Sequence, residues 1–151
     1  MIPSTVNRVP MHTAQKVNNK IRRRMERRIS YYARHPEKID ERLQQLEREW
    51  DIERTLEANA GAVAVGSVLL GALSHKRWLL LPVFVGGFLL YHAVNGWCPP
   101  LPVWRRFGVR TQTEIDEERY ALKALRGDFR KMPPQNDSRE FSNRVMDVVR
   151  H

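Results

Sequence analysis

Five polar side chains at the edges of the apolar middle of the chain are of types that could do chemistry. They are Glu57, Asn59, His92, Asn95 and Cys98. If the chain folds back near residue 76, Glu57 lies opposite Asn95 and all five gather at one end of a hairpin. A carboxylate, an imidazole and a thiol at one depth predict a polar cluster that binds a small ion or changes the reactivity of the thiol.

The alternative interpretation is that headgroups and water solvate these side chains, with Glu57 and Asn59 capping or pairing locally. One Glu, one His and one Cys on separate turns fall short of the four ligands of a structural zinc site, so we expect neither a metal nor a cofactor. Reactivity of Cys98, the only cysteine, would need a cationic neighbour such as Arg105 or Arg106. Phosphate-binding, zinc-protease and Ser/His/Asp motifs are absent from the sequence, which favours a protein that is not an enzyme.

Two apolar runs must position these residues. They extend over 58–73 and 78–94, and only Ser74, His75, Lys76 and Arg77 separate them. A helix of 17 to 18 residues is roughly 26 Å long, close to the hydrocarbon thickness of about 30 Å. Neither run has the polar stripe that a core helix of a soluble protein keeps. The predicted fold is all-α, a transmembrane helical hairpin with flanking cytoplasmic amphipathic helices.

The composition divides the chain into six segments. They are a basic N-terminal amphipathic segment (1–35), a charged juxtamembrane helix (36–57), the hairpin (58–97, with spans at about 57–74 and 78–96), a Cys-Pro turn and interface segment (98–112), a short cytoplasmic helix (113–127), and a linker with a weak C-terminal helix (128–151).

The distribution of cations around the spans predicts their orientation. The two flanks hold seven basic residues, namely Lys38, Arg42, Arg48, Arg54, Arg105, Arg106 and Arg110. The connecting turn holds only Lys76 and Arg77. Since cytoplasmic loops carry the excess of Lys and Arg, both termini are predicted to be cytoplasmic.

Small residues recur along both spans and predict close helix packing. They are Ala58, Ala62, Gly66, Ser67, Gly71, Gly86 and Gly87. Contact between helices in lipid depends on close backbone approach, which small residues permit. The pattern leaves open whether they pack within one hairpin or between two copies, as a homodimer.

The N-terminal segment forms a basic amphipathic helix over residues 13–34. Its candidate lipid-binding cations are Lys16, Lys20, Arg22, Arg23, Arg24, Arg27 and Arg28. Such a helix can lie on anionic headgroups, with each near-surface cation contributing about 1 kcal/mol. Nucleic acid is the alternative partner for an Arg-rich helix. We favour lipid because the following spans hold the helix close to a bilayer.

Three further patterns concern the remaining helices. Apolar positions from Ile39 to Trp50 form a seam that packs within the chain or against a protein partner, on a helix that could continue into the first span. The segment 98–102, with prolines at 99, 100 and 102, is expected to end the helix of the second span and to keep the residues before the prolines out of helical geometry. Thr111 and Glu114 form a capping box, residues 131–137 are expected to be a linker, and Phe141, Val145 and Val148 predict a last weak helix.

The segment after the second span resembles a known bacterial family. It reads Gly96-Trp97-Cys98-Pro99-Pro100-Leu101 and then Arg106-Phe107-Gly108-Val109-Arg110-Thr111. Over about residues 50–112 the chain is similar to two-helix inner-membrane domains of unassigned function, which are also found behind rhodanese domains. The resemblance implies a hairpin in the inner membrane and self-association. Gln112 stands where many relatives have a second Cys, so neither a dithiol mechanism nor sulfur transfer is carried over.

Two functions of different class follow from these patterns. The first is a non-enzymatic membrane anchor or interaction protein, whose cytoplasmic helices bind lipid or a protein partner. The second is a small transport or thiol/redox-linked component that uses the polar cluster. Because two spans enclose no pore, transport would require an oligomer.

Overall fold

The computed structural model describes residue 4, residues 6–131 and residues 139–150. These residues form eight α-helices joined by turns and short 3₁₀ segments, and no strand occurs among them. The helices are α1 (Arg8–Met11), α2 (Gln15–Arg34), α3 (Ile39–Arg48), α4 (Ile52–Leu73), α5 (Leu80–Asn95), α6 (Leu101–Phe107), α7 (Gln112–Arg126) and α8 (Arg139–Arg150). The prediction of an all-α fold is confirmed.

Helices α4 and α5 are antiparallel neighbours joined by a short turn that includes the 3₁₀ segment Lys76–Leu79. The side chain of Asp51 caps α4, since its carboxylate accepts a hydrogen bond of 2.9 Å from the amide of Arg54. This cap separates α3 from α4, so the expectation that one helix could run from the seam into the first span is wrong. The helix that carries the first span begins at Ile52.

Both apolar helices have the properties of membrane spans. The stretches Pro36–Leu73 and Lys76–Asn95 each contain a window of 18 residues that is apolar enough to cross a bilayer. Only 17% of the most apolar window of the first stretch, and 6% of that of the second, is buried in the protein. A core helix of a soluble protein is mostly buried, so these exposed apolar surfaces are suited to lipid.

Within the hairpin, only some of the predicted packing residues make the contact. Ser67 and Gly71 are buried, and a Cβ atom added at Gly71 would lie 2.6 Å from the side chain of Leu79. A Cβ atom added at Gly66, Gly86 or Gly87 would meet nothing within 4 Å. Ala58 and Ala62 are exposed. These five positions are therefore available to lipid or to another protein chain.

The chain divides into two compact units, and the hairpin belongs to the first (Met1–Arg24 and Glu49–Ile115). Its core consists of Val9, Ile52, Leu56, Cys98 and Leu101, with Trp97, Trp104 and Val109 packed against them. The helix of the second span ends at Asn95, before the prolines, as expected. The expectation that the prolines exclude helical geometry from their own segment is wrong, because α6 begins at Leu101 and includes Pro102. A proline in the first turn loses no helical hydrogen bond, because the first amides of a helix have no partner.

The second unit contains residues Met25–Arg48 and Asp116–His151. Its buried apolar side chains include Met25, Ile39, Leu43, Leu46 and Leu122. The predicted seam on α3 is thus buried within the chain as far as Leu46, whereas Trp50 lies in the first unit and is 48% exposed. Helix α8 carries Phe141 and Val145, and of the predicted linker the residues 132–137 lie outside the described residues.

Candidate functional site

A buried imidazole contacts a carboxylate across the hairpin. Nε2 of His92 on α5 donates a hydrogen bond of 2.7 Å to Oε2 of Glu53 on α4. His92 is only 3% exposed, whereas the side chain of Glu53 is 31% exposed. Because an ionised carboxylate only accepts, Nε2 carries a proton in this contact, and Nδ1 is the ring nitrogen left for a second interaction.

The second ring nitrogen of His92, Nδ1, lies on the side of the ring away from Glu53. Nδ1 is buried and lacks a hydrogen-bond partner among the described residues. The thiol of Cys98, itself only 3% exposed, is the other ionisable group that interacts with this imidazole. Buried polar atoms are nearly always paired, so the thiol is the group left to pair with this nitrogen.

Arg8 from the N-terminal segment completes the charge arrangement at this end of the hairpin. Its Nη2 donates to Oε1 of Glu53 at 2.9 Å, and its Nη1 donates to the carbonyl oxygen of Ala93 at 2.8 Å. The segment approaches closely because Gly96 has no side chain: an added Cβ atom would lie 2.6 Å from the backbone of Arg8. Gly96 also has φ of 79°, a left-handed conformation that favours glycine.

A cavity of about 480 Å³ lies beside the thiol, between α4, α5 and α6. Its walls are almost entirely apolar, and it is partly open to the surroundings. The lining residues are Leu56, Asn59, Ala60, Val63, Val85, Phe88, Leu89, Cys98, Pro99, Pro100, Val103 and Trp104. Its volume lies within the roughly 300 to 1,000 Å³ of small-molecule sites. It can hold an apolar group next to the sulfur of Cys98.

The structure brings together two of the five predicted cluster residues, His92 and Cys98. Asn59 lines the cavity with Cys98, and its amide donates to the carbonyl oxygen of Thr55 at 2.7 Å. Glu57 is exposed and Asn95 is half-buried. The carboxylate that contacts His92 belongs to Glu53, one turn before Glu57.

The sequence analysis missed Glu53 and Arg8. Glu53 could have been found from Asp51, because Asp is a strong N-cap residue and would have moved the predicted start of the helix to Ile52. No sequence signal was available for Arg8, which lies 45 residues before Glu53 along the chain.

One of the two arginines suggested as neighbours of the thiol, Arg105, makes other contacts. Arg105 is fully buried, and its guanidinium forms a bidentate pair with Glu114 at 2.7 and 2.8 Å. It also donates to the Thr13 hydroxyl oxygen and to the Asn18 side-chain oxygen. The predicted capping box is present, since Glu114 and Thr111 bond to each other's amides at 2.8 and 3.2 Å.

The candidate lipid-binding cations are mostly at the surface. Lys16, Lys20, Arg22, Arg23, Arg24 and Arg27 are exposed on α2. Arg28 is half-buried, with its Nη2 3.1 Å from Oε2 of the buried Glu118. Arg28 thus neutralises a buried carboxylate, and the other six cations remain available to anionic groups outside the chain.

Comparison with known protein families gives one match. Residues 51–114 match the family described as the transmembrane domain of YgaP-like inner membrane proteins. The resemblance expected over about residues 50–112 is therefore confirmed, and the chain is a membrane protein. The matched segment includes Glu53, His92 and Cys98. No curated protein and no solved structure matches the chain.

Proposed function

We propose, from the premise that residues 51–114 form a transmembrane domain of the YgaP-like inner membrane protein family, that this chain is a non-enzymatic membrane anchor or interaction protein. The observation that carries the proposal is a hairpin whose apolar windows are only 17% and 6% buried. Charged helices precede and follow this hairpin in the chain. Such an arrangement holds polar helices at a bilayer surface.

Both termini lie in the cytoplasm in this proposal. Seven basic residues flank the spans and two lie in the turn between them, as the positive-inside rule requires for this orientation. Trp78 then lies at the outer interface, and Trp97 and Trp104 lie at or near the inner one. Aromatic residues are enriched at both interfaces because their rings are amphipathic.

The ligands of the anchor are anionic lipid headgroups and a cytoplasmic protein partner. The six exposed cations of α2 support the lipid contact, because each cation near an anionic surface contributes about 1 kcal/mol. Gly66, Gly86 and Gly87, which face open space, support pairing of two hairpins through small residues. Nucleic acid is a weaker alternative, since the spans keep the basic helix at the bilayer.

The test is cysteine accessibility in intact cells. In a Cys98→Ser background, Ser74→Cys should react with a membrane-impermeant maleimide added from outside. Ser30→Cys, also exposed in the structure, should react only after the cells are opened. The reverse pattern would place the termini outside. If neither position reacts in intact cells and the protein is extracted from membranes by alkaline carbonate, the anchor function is wrong.

A second function is favoured by the contact of His92 with Glu53 and Cys98. A thiol beside an imidazole base, with an apolar cavity next to it, supports a thiol-linked membrane component. This function requires the sulfur of Cys98, whereas anchoring does not. A Cys98→Ser exchange that preserves membrane insertion therefore separates the two.

A further inference from the structure

We propose that Cys98 is an acyl-acceptor site, at which the thiol takes a long-chain acyl group from an activated acyl thioester and the chain occupies the neighbouring cavity. The proposal rests on the thiol-linked function and deepens it by naming a substrate class. Two observations carry it: the imidazole of His92, which contacts Glu53 through one nitrogen and interacts with Cys98, and the shape and chemistry of the cavity.

Glu53 occupies one ring nitrogen of His92 and leaves the other for the thiol of Cys98. Glu53 holds the proton on Nε2 through a hydrogen bond of 2.7 Å, and Arg8 holds Glu53 through one of 2.9 Å. Nδ1 is buried, has no partner among the described residues, and belongs to a ring that interacts with Cys98. A nucleophile, a base and a carboxylate that orients the base form the arrangement that activates a thiol.

The cavity selects an apolar substrate. Leu56 and Val63 of α4, Phe88 and Leu89 of α5, and Val103 and Trp104 of α6 contribute to its wall, and Cys98 lines the same space. The surrounding segment is the transmembrane domain, so a chain dissolved in the bilayer can enter without crossing water. A small polar electrophile would gain nothing from these walls, whereas each methylene of an acyl chain that leaves water for these walls contributes to binding.

The reaction is a thioester exchange without a change of oxidation state. The S–H bond of Cys98 breaks and its proton passes to Nδ1 of His92. The sulfur bonds to the carbonyl carbon of the donor, and the bond from that carbon to the donor's sulfur breaks. The departing thiolate takes the proton from Nδ1, which restores the neutral imidazole and leaves the acyl group on Cys98.

The experiment uses the full chain in detergent micelles, with palmitoyl-coenzyme A and acetyl-coenzyme A as donors. Intact-mass spectrometry follows the acyl adduct, and hydroxylamine removes it if it is a thioester. We expect one adduct per chain, absent in Cys98→Ser. His92→Gln should slow its formation by roughly a hundredfold, since loss of a general base costs about 10² to 10⁴ in rate.

Detergent micelles concentrate any long-chain donor and could raise the rate of palmitoyl transfer by themselves. Two matched variants distinguish this effect from the effect of the cavity. Val63→Trp fills the cavity, while Val65→Trp adds the same bulk at a position that is 62% exposed and outside it. We expect Val63→Trp to slow palmitoyl transfer at least tenfold and to leave acetyl transfer unchanged. Val65→Trp should change neither. Equal effects of the two Trp variants would overturn the role of the cavity.

Glu53 and Glu57 provide a second matched pair, because they lie one turn apart on α4. Glu53→Gln should slow transfer and Glu53→Asp should restore part of the rate, whereas Glu57→Gln should have no effect. Circular dichroism and elution volume in detergent identify any variant that fails to fold, and such a variant is replaced by its conservative counterpart (His92→Asn for His92→Gln).

A small methanethiosulfonate reagent distinguishes failure of the substrate class from failure of the thiol-linked function. If the reagent modifies Cys98 in a His92-dependent manner but palmitoyl transfer is absent or independent of His92, the acyl proposal is wrong and the reactive thiol remains. If His92→Gln changes neither reaction, both are wrong.

Discussion

At the scale of single residues, the stability of the first unit depends on the ion pair between the buried Arg105 and Glu114. Arg105 is completely buried, and Glu114 meets it with both carboxylate oxygens. Burial by itself raises the pKa of Glu114, but the hydrogen bonds and the charge of Arg105 outweigh it and lower that pKa below its usual value of 4.5. The pair therefore stabilises the folded state while Glu114 is ionised.

The pH dependence of this contribution has a definite sign. Because the pKa of Glu114 is lower in the folded protein, its stabilisation is fully present above about pH 4.5 and is lost as the pH falls through the folded pKa. Glu114→Gln should lower the unfolding free energy by about 3–5 kcal/mol at pH 7, because it leaves Arg105 buried without its counter-charge.

Thermal unfolding in detergent, followed by circular dichroism between pH 3 and pH 7, measures this difference. The difference in unfolding free energy between the wild type and Glu114→Gln should become smaller as the pH falls below about 4.5. Glu117→Gln is the control, since Glu117 is exposed on the same helix. A difference in unfolding free energy that stays constant with pH would contradict a stabilising role of the ionised carboxylate of Glu114.

At the scale of helices and turns, the candidate site exists because α5 ends sharply. The amide of Gly96 bonds to the carbonyl oxygen of His92 at 2.7 Å, and its φ of 79° turns the chain away from the helix axis. This turn directs the chain to Cys98 and α6 and leaves room for the backbone of Arg8. A single glycine thus positions the thiol, the base and the N-terminal segment.

Gly96→Ala should destabilise the first unit by about 1–2 kcal/mol from the left-handed conformation alone. A further loss is expected because the new Cβ atom would lie 2.6 Å from the backbone of Arg8. Gly87→Ala on the same helix is the control, because nothing lies within 4 Å of its added Cβ atom. Thermal unfolding in detergent compares the two variants, and equal midpoints would contradict the close approach of the N-terminal segment.

At the scale of the whole molecule, charge and hydropathy are separated along the chain. The net charge is +9, and residues 1–35 contain nine basic residues and one acidic residue. The hairpin, in contrast, presents exposed apolar side chains such as Leu73, Val83 and Leu90. A chain of this kind suits a lipid surface that offers both a hydrocarbon layer and anionic headgroups.

Trypsin cleavage in reconstituted vesicles tests the lipid contact of α2. Cleavage after Arg22, Arg23 and Arg24 should be several-fold slower in vesicles containing phosphatidylserine than in vesicles of phosphatidylcholine alone. High salt should remove the difference, because the screening length falls to about 3 Å at 1 M salt. Equal cleavage rates in the two lipids at low salt would show that the basic helix does not lie on anionic headgroups.

The sequence by itself determined the architecture of this protein. Two long apolar runs without a polar stripe require a nonpolar environment on all sides, and four residues between them permit only antiparallel neighbours. The capping box at Thr111 and Glu114 was equally readable, because capping is a local interaction over three residues. The family resemblance at Gly96–Thr111 likewise depends on residues that are contiguous in the chain.

Only the tertiary structure decided which side chains meet at the end of the hairpin. The sequence predicted His92 and Cys98 as members of the site but grouped them with Glu57 instead of Glu53, because counting from residue 76 assumes that the chain folds symmetrically about that residue. It also suggested Arg105 or Arg106 as a cationic neighbour of the thiol, whereas Arg105 forms an ion pair with Glu114 in the structure. Long-range pairs such as Arg8 with Glu53 follow from packing of the whole unit, which no local pattern of residues encodes.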